Sequence, residues 1–234
     1  MIVHRICSVR EPRQKVYIVT IHSEIRQETQ PSRSPDLATL LRSRRSVRSY
    51  QQRPVTHEQL EQILEAARWA PSPHGRQPWR FVVLTRQEPK QVLADSMGET
   101  WQHNLEMDGQ DAVIVNIRRE KSRQRILNAP AIVIPCLYLE DLDIYPDEQR
   151  QADEKTMAIQ SIGAAIQNML LMTYDLGLDA GWMCAPLFCP EVVCEALELD
   201  AHLIPQALIT IGYAAADPKR RERIPLNSLI VRFD

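Results

Sequence analysis

Residues 70–81 read APSPHGRQPWRF, and this stretch marks a change from helix to strand. Pro71 and Pro73 lack backbone N–H donors, so they end the helix that the preceding apolar pattern predicts. From Phe81 the chain reads FVVL, which is typical of a short buried strand. Trp79 and Phe81 are predicted core residues, because large aromatic side chains stabilise a fold mainly through burial. The stretch therefore predicts a helix, a rigid turn and one strand of a packed sheet.

The rest of the chain alternates between helices and strands. Thr56 and Gln59 match a capping box at the start of an amphipathic helix, and the pair Ser34–Pro35 predicts the start of a shorter one that runs through Leu41. The other predicted elements are a largely helical segment 90–127 with possible interruptions at Gly98 and Gly109, strands 131–139, 180–183 and 204–213, a central helix 156–176 ended by Gly177, and a helix 190–197. This order indicates helices packed around one sheet.

The composition is that of a single soluble domain. The chain has 234 residues, 44% of them hydrophobic, and a net charge of -2. A chain of this length can bury one substantial core, and its charge gives no general attraction to nucleic acid or to an anionic membrane. No apolar stretch is long enough to cross a bilayer, and the amino terminus lacks the apolar segment of a secretory signal. We therefore expect a cytoplasmic protein whose partner is a small molecule.

The five cysteines form no CxxC pair, and an odd number argues against a disulfide framework. Cys184, Cys189 and Cys194 are evenly spaced, which is compatible with a metal site. Pro186 and Pro190 interrupt the segment, however, and no close histidine supplements it. We predict free thiols and no metal site.

Glycine-rich phosphate loops are absent from the sequence. The chain has seven glycines and contains neither a GxGxxG motif nor a Walker loop, so side chains would have to hold a bound phosphate. Residues 42–50, RSRRSVRSY, and residues 218–225, PKRRERIP, are two arginine clusters that could close on one phosphate from opposite sides. Taken separately, each is equally typical of a solvated basic segment or of a patch for nucleic-acid phosphates.

Three segments, RRSVRSY, APSPHGRQPWRF and GYAAADPKRRERIP, resemble in order the motifs of the nitroreductase superfamily. Their wording is most similar to the FMN-binding carboxy-terminal domains of deazaflavin-cofactor γ-glutamyl ligases and their stand-alone relatives. No ligase domain accompanies them, so glutamate ligation is not implied. The resemblance implies an α+β three-layer sandwich, with a mostly antiparallel central sheet flanked by helices, in an intertwined homodimer. It divides the chain into an extension of unknown role, 1–33, and an FMN-binding domain, 34–234.

The resemblance also implies an FMN site at the subunit interface. The residues expected around the phosphate, the ribityl chain and the pyrimidine edge are Arg44, Arg45, Ser46, Val47 and Arg48, completed by Arg221 and Arg223. Those expected at the isoalloxazine ring are Pro71, Ser72 and Pro73 from the other subunit, and Met183, Cys184 and Ala185 through backbone groups. His74 and Trp101 are candidates on the substrate side. Many relatives carry asparagine at the position of Gly75, and glycine near Cys184, so the tuning of the flavin stays open.

The activity implied is FMN-dependent oxidoreduction. NADH or NADPH would deliver a hydride to the flavin and leave, and a small flat acceptor such as a nitroaromatic or a quinone would enter the same space, which predicts ping-pong kinetics with no catalytic side chain. One alternative is a module that binds flavin or deazaflavin without turnover. Another is a specialised reductase related to deazaflavin cofactor biosynthesis. The physiological acceptor, the choice between NADH and NADPH, and the role of residues 1–33 stay open.

Overall fold

The computed structural model describes residues 36–218 and 221–234. The helices are α1 Leu37–Ser43, α2 His57–Arg68, α3 Gln87–Met107, α4 Ala112–Leu127, α5 Glu148–Asp175 and α6 Pro190–Ala196. The strands are β1 Trp79–Leu84, β2 Ala131–Tyr138, β3 Asp179–Met183, β4 Leu203–Pro205 and β5 Leu208–Gly212. The predicted boundary at residues 33 and 34, and the predicted Ser34–Pro35 helix start, lie outside the described residues.

The five strands form one sheet in the order β1-β2-β5-β3, with β4 beside the end of β2, and every named pair is antiparallel. The prediction of a mostly antiparallel central sheet is confirmed. The prediction of one strand over 204–213 is wrong, because Gln206 and Ala207 separate β4 from β5. Opposite this break stands Pro135, which has no N–H to donate, and its carbonyl accepts the Gln206 N–H at 2.8 Å instead.

Helices cover both faces of the sheet, which makes three layers. Along β2 the side chains alternate, as the pleat of a strand requires. Val133 and Leu137 belong to the core that contains α2 and α5, whereas Ile132 and Ile134 belong to the core that contains α3 and α6. Both faces of β2 are therefore buried, and Trp79 at the start of β1 is also buried, as predicted.

Helix boundaries follow local capping chemistry. The predicted capping box of α2 is confirmed, with the Thr56 hydroxyl accepting from the Gln59 amide at 3.2 Å. Gly177, with φ of +77°, follows α5 as expected, but α5 begins eight residues earlier than predicted, where the Asp147 carboxylate caps it. Helix α1 has Asp36 as its N-cap and continues to Ser43, beyond the predicted end.

The long helical segment divides once, not twice. Gly109, with φ of +73°, separates α3 from α4, whereas Gly98 lies inside a continuous α3. In the described part of the chain, no helix combines the length and apolar character needed to span a membrane.

Candidate functional site

The arginine-rich segment after α1 is attached to the edge of the sheet. Ser46 forms a parallel bridge with Ala180 of β3, and the Val47 amide donates to the Ala180 carbonyl at 2.9 Å. The Val47 side chain is buried, whereas those of Ser46 and Arg48 are exposed. The backbone is therefore fixed while the polar side chains remain available to a ligand.

Tyr50 anchors the far end of this segment from within the core. Its buried hydroxyl lies 2.7 Å from the Val47 carbonyl and 2.8 Å from Thr210 Oγ1. Burial is the main reason that the pKa of Tyr50 is raised above its ordinary value. On β3, a Cβ atom at Gly181 would lie 2.3 Å from the Val47 carbonyl oxygen, so only glycine permits this approach.

Two of the arginines have buried donors without a partner. The Nε atoms of Arg44 and Arg45 are buried and make no hydrogen bond in the described structure. Arg45 Nη1 donates to the Arg44 carbonyl at 2.7 Å, which holds the guanidinium close to the backbone. Burial lowers the pKa of Arg44, and repulsion from Arg223 and Arg45 lowers it further. Arg223 therefore lies within electrostatic range of Arg44, and the fold brings the two distant basic clusters together at this point.

A cavity of about 480 Å³, named the main cavity because several predicted site residues line it, lies between the α3–α4 pair and the end of β3. Of the residues proposed from sequence, Met183, Ala185 and Trp101 line it, and Cys184 next to them is exposed and does not. Phe188 adds a second aromatic side chain. This cavity has the size and the mainly apolar walls of a small-molecule site.

A second cavity, of about 690 Å³, lies between Arg48, Tyr50 and α4. Arg125 of α4 lines both cavities, so the two are neighbours along the same helix. The sequence reasoning missed the contribution of α4. A signal was present in residues 118–125, RREKSRQR, which form a third basic cluster, but helical periodicity alone does not show which face meets a ligand.

The proline turn lines neither of these cavities. Its Pro73–Gly75 segment is a short 3₁₀ helix, in which His74 has φ of +54° and Gly75 φ of +66°. The Ser72 hydroxyl accepts from the Gln77 amide at 3.0 Å and closes the turn. Its assignment to the other subunit's flavin ring stays a prediction, and so does the role of exposed His74.

The four described cysteines differ in exposure, with Cys136 and Cys189 buried and Cys184 exposed. Burial raises the pKa of the Cys136 thiol to about 12, and it is the main reason that the pKa values of Cys189 and Cys194 are also raised. Cys136, Cys184, Cys189 and Cys194 are all free thiols. Within residues 36–218 and 221–234, no group of three or more His, Cys, Asp or Glu side chains is placed to hold a metal ion.

Neither Arg44 nor Arg45 lines either cavity, so the donors suit an anion and the first cavity, taken by itself, suits a flat apolar ligand. Unpartnered guanidinium N–H groups bind phosphate oxygens in charge-assisted hydrogen bonds, and apolar walls with aromatic side chains accept a ring.

Comparison with known proteins identifies the class of enzyme. A model of the nitroreductase family matches residues 41–213. A Thermus thermophilus protein named NADH dehydrogenase is 29% identical over 205 residues, which cover 84% of this chain and 95% of that one. This chain belongs to the nitroreductase family and is an oxidoreductase.

Solved structures agree with the fold. A Desulfovibrio desulfuricans protein assigned as a nitroreductase, in complex with FMN, matches with a TM-score of 0.65 and 28% identity over 84% of this chain and 96% of that chain. A BluB-like flavoprotein from Clostridium difficile 630 matches with a TM-score of 0.72 and 23% identity over 86% of this chain and 100% of that one, which concerns the fold alone.

Proposed function

We propose that the chain binds FMN and transfers electrons from NADH or NADPH to a small flat acceptor by a ping-pong mechanism. When bound, FMN supplies the two-electron carrier, since it takes a hydride from the nicotinamide and passes reducing equivalents to the acceptor. The residues that would hold it are Arg44, Arg45, Ser46, Val47 and Arg48 with Arg221 and Arg223 at the phosphate side, and Met183, Cys184 and Ala185 at the ring. The FMN complex of the Desulfovibrio relative supports this choice of cofactor.

The observation that carries the proposal is the arginine cluster. Among the described residues, Arg44 and Arg45 each have a buried Nε donor without a partner, and Arg223 adds positive charge near Arg44. Burying a charged donor without a hydrogen-bond partner is unfavourable. A phosphate dianion would offset the repulsion among the arginines and would accept hydrogen bonds from these N–H groups. A neutral ligand could accept the hydrogen bonds but would leave the repulsion in place.

The main cavity supports alternating use by two substrates. Its walls combine Met183 and Ala185 from the β3 end with Trp101 from α3. The chain supplies orientation here, because side chains on packed helices and a sheet hold a flat ligand in one pose. In the proposed mechanism both substrates use this cavity in turn, so the reductant leaves before the acceptor enters.

We also propose that the enzyme is a homodimer. The carboxy-terminal segment carries large apolar side chains that nothing in the described chain covers, and Leu226, Val231 and Phe233 are 71%, 103% and 88% exposed. Exposed apolar side chains in one segment mark an interaction surface. In such a dimer, Pro71, Ser72 and Pro73 of one subunit would approach the ring bound by the other, with His74 at the mouth of the pocket.

A second candidate is a specialised reductase or a binding module related to deazaflavin cofactors. It is favoured by the wording of APSPHGRQPWRF and of the carboxy-terminal basic segment, which resemble the deazaflavin-ligase domains. A module that only stores cofactor would leave its flavin oxidised when NADH or NADPH is added without oxygen, whereas the oxidoreductase would bleach the flavin absorbance.

The experiment that tests the proposal is cofactor retention by a double variant. The purified protein is examined for flavin absorbance, and the released chromophore is identified by chromatography. Replacing Arg44 and Ser46 by alanine together should abolish retention of FMN, because charge-assisted hydrogen bonds to the phosphate are lost. Arg42→Ala removes an exposed arginine of the same cluster, and it should retain the cofactor.

The fold of both variants is checked by circular dichroism. Equal FMN occupancy in the double variant and the wild type would remove Arg44 and Ser46 from the site. For the kinetic part, initial-rate lines that intersect instead of running parallel would contradict the ping-pong mechanism, and a folded, flavin-loaded monomer at micromolar concentration would contradict the shared site.

A further inference from the structure

Arg119 of α4 lies across α3 at a position where α3 has no side chain. A Cβ atom at Gly98 would lie 3.3 Å from Arg119 Nε and 3.5 Å from its Cγ. Arg119 Nη1 donates to Gln102 Oε1 at 2.7 Å, one turn further along α3. A side chain at this position would be in tight contact with Arg119, so the glycine leaves room for the arginine to lie close to α3. The guanidinium is thus held in place by packing and by one hydrogen bond.

The charge of Arg119 is not neutralised by its hydrogen-bond partner. Gln102 is a neutral amide, whereas the neighbouring Arg123 pairs with the Asp95 carboxylate at 2.7 Å. Both arginines line the main cavity, and so does Arg125. Among the described lining residues the acidic side chain is Asp108, so Arg119 and Arg125 leave a positive excess after the Arg123–Asp95 pair is set aside. The cavity is therefore positive in a chain whose net charge is -2. Such a local field attracts anions.

The remaining walls of the cavity suit an aromatic body. Trp101 and Phe188 provide aromatic surface, and Met97, Ile126 and Leu208 provide apolar surface. Arginine binds a carboxylate through two parallel N–H groups, which fixes the direction of the ligand as well as its charge. An aromatic ring that carries a carboxylate satisfies both parts of this lining.

We propose that Arg119 is a specificity-determining residue that selects acceptors with a carboxylate attached to the aromatic ring. This inference rests on the proposed function, since it concerns the acceptor that enters after the nicotinamide has left. A carboxylate on the acceptor ring lies within the same cavity as the ring itself. In NADH and NADPH the phosphates are separated from the nicotinamide by a ribose, which places them further from a cation in the ring cavity.

The test compares a charged acceptor with a neutral one of similar shape. The ratio of kcat/KM for para-nitrobenzoate to that for para-nitrobenzyl alcohol is measured for the wild type and for Arg119→Gln, which removes the charge and keeps a polar side chain. The expected result is a fall of about ten-fold in this ratio, because a hydrogen bond to a charged group contributes at least that factor. Arg119→Lys keeps the charge but lacks the planar guanidinium, so its ratio should lie between those of the wild type and Arg119→Gln.

Arg118→Gln is the matched control. Arg118 is the adjacent residue on α4, is exposed, donates to Gln110 and does not line the cavity. Its replacement removes the same charge from the same helix, and it should change the ratio by less than about two-fold, since exposed charges are screened by solvent and salt. Equal effects of the two variants would show that only general electrostatics is at work, and would overturn the assignment.

Binding without turnover gives an independent readout. Benzoate and benzyl alcohol are titrated into the oxidised holoenzyme, and binding is followed by the flavin spectrum and by calorimetry. Benzoate should bind the wild type more tightly, and Arg119→Gln should weaken benzoate by about ten-fold while leaving benzyl alcohol unchanged. If Arg119→Gln does not fold, Gln102→Leu serves instead, because it releases the guanidinium without removing it.

The outcomes separate this inference from the proposed function. Absence of bound flavin, or of flavin bleaching by NADH and NADPH, in the wild type would reject the proposed function. If the wild-type flavin bleaches normally but Arg119→Gln leaves the ratio of kcat/KM for para-nitrobenzoate to that for para-nitrobenzyl alcohol unchanged, the inference about Arg119 is rejected and the proposed function stands. A rise in KM for NADPH or NADH in Arg119→Gln, with para-nitrobenzoate unaffected, would assign the arginine to the reductant and also reject it.

Discussion

Gly181→Ala tests whether the arginine segment depends on a close approach to β3. The added Cβ would lie 2.3 Å from the Val47 carbonyl oxygen and 2.8 Å from Thr210 Oγ1, and both distances are shorter than real Cβ contacts. Because Val47 O is a backbone atom, the segment has to move away from the sheet. Overpacking of this kind is unfavourable by about 1 to 3 kcal/mol, and loss of the 2.9 Å bond from the Val47 amide to Ala180 adds about 1 kcal/mol.

The expected loss is therefore about 2 to 4 kcal/mol in the free energy of unfolding, which is a large part of the stability of an ordinary domain. It is measured by urea unfolding of the apoprotein at equal protein concentration, with an unchanged slope against denaturant as the sign that only stability has altered. Affinity for FMN should fall by at least about ten-fold, because the displaced segment carries the phosphate-binding side chains.

Gly163→Ala is the control for Gly181→Ala. It makes the same chemical change inside α5, where a Cβ would meet nothing within 4 Å among the described residues outside its own helical turn, and helix propensity predicts a gain of about 1 kcal/mol. The reasoning would be refuted if the free energy of unfolding of Gly181→Ala lay within about 0.5 kcal/mol of the wild-type value and the protein retained FMN. Changes that small are typical of exposed positions, whereas the short distances predict a steric clash.

Two further predictions concern pH and anions. Cys136 keeps its proton up to a pKa of about 12 in the folded chain, against an ordinary value of 9.0, so its contribution to stability is complete below pH 9 and is lost as the pH rises towards 12. The free energy of unfolding is measured with urea from about pH 8 to about pH 11. The Cys136 thiol should lower it by up to about 1.4 kcal/mol for each pH unit, and Cys136→Ala should make this fall less steep. An equally steep fall in the variant would contradict the prediction. Inorganic phosphate should raise the thermal midpoint of the apoprotein by binding to Arg44 and Arg45, and Arg44→Gln should make this increase smaller. Both proteins are measured at constant ionic strength, with chloride as the control. An equal increase in the two proteins would exclude Arg44 as an anion ligand.

Much of the fold could be predicted because its signals are local. The capping box at Thr56 and Gln59 and the helix end at Gly177 each depend on residues that are close in sequence. Strand β2 could be predicted from its apolar run, since both of its faces are buried. The break between β4 and β5 could not, because its cause is Pro135, which lies about seventy residues earlier and faces residue 206 only when the sheet has formed.

The candidate site shows the same division between local and tertiary signals. The arginine segment could be found from the composition of the sequence. Its proximity to the second basic cluster could be suggested from the sequence, but the approach of Arg223 to Arg44 in particular could not. The lining residues of α4 were missed, because one face of a basic helix is indistinguishable from a solvated one until α3 is packed against it. Gly98 lies under Arg119 of the other helix, but the glycine alone could not have revealed this contact, because Gly163 inside α5 has no such neighbour among the described residues.

Arg44 and Arg45 occupy positions where a partly buried positive charge lowers the stability of the folded protein, and binding an anion would account for their presence there. Arg44 is half-buried, and its pKa is lowered first by burial and then by Arg223 and Arg45. The Nε donors of Arg44 and Arg45 have no partner among the residues that the structure describes. Replacing such a residue with a neutral one should stabilise an empty protein or leave it unchanged, because desolvation and repulsion both disappear. With an anion bound, the same replacement should destabilise, because ligand affinity adds to the stability of the folded state. A change of sign between the empty and the loaded protein is expected of a binding residue and not of a structural one.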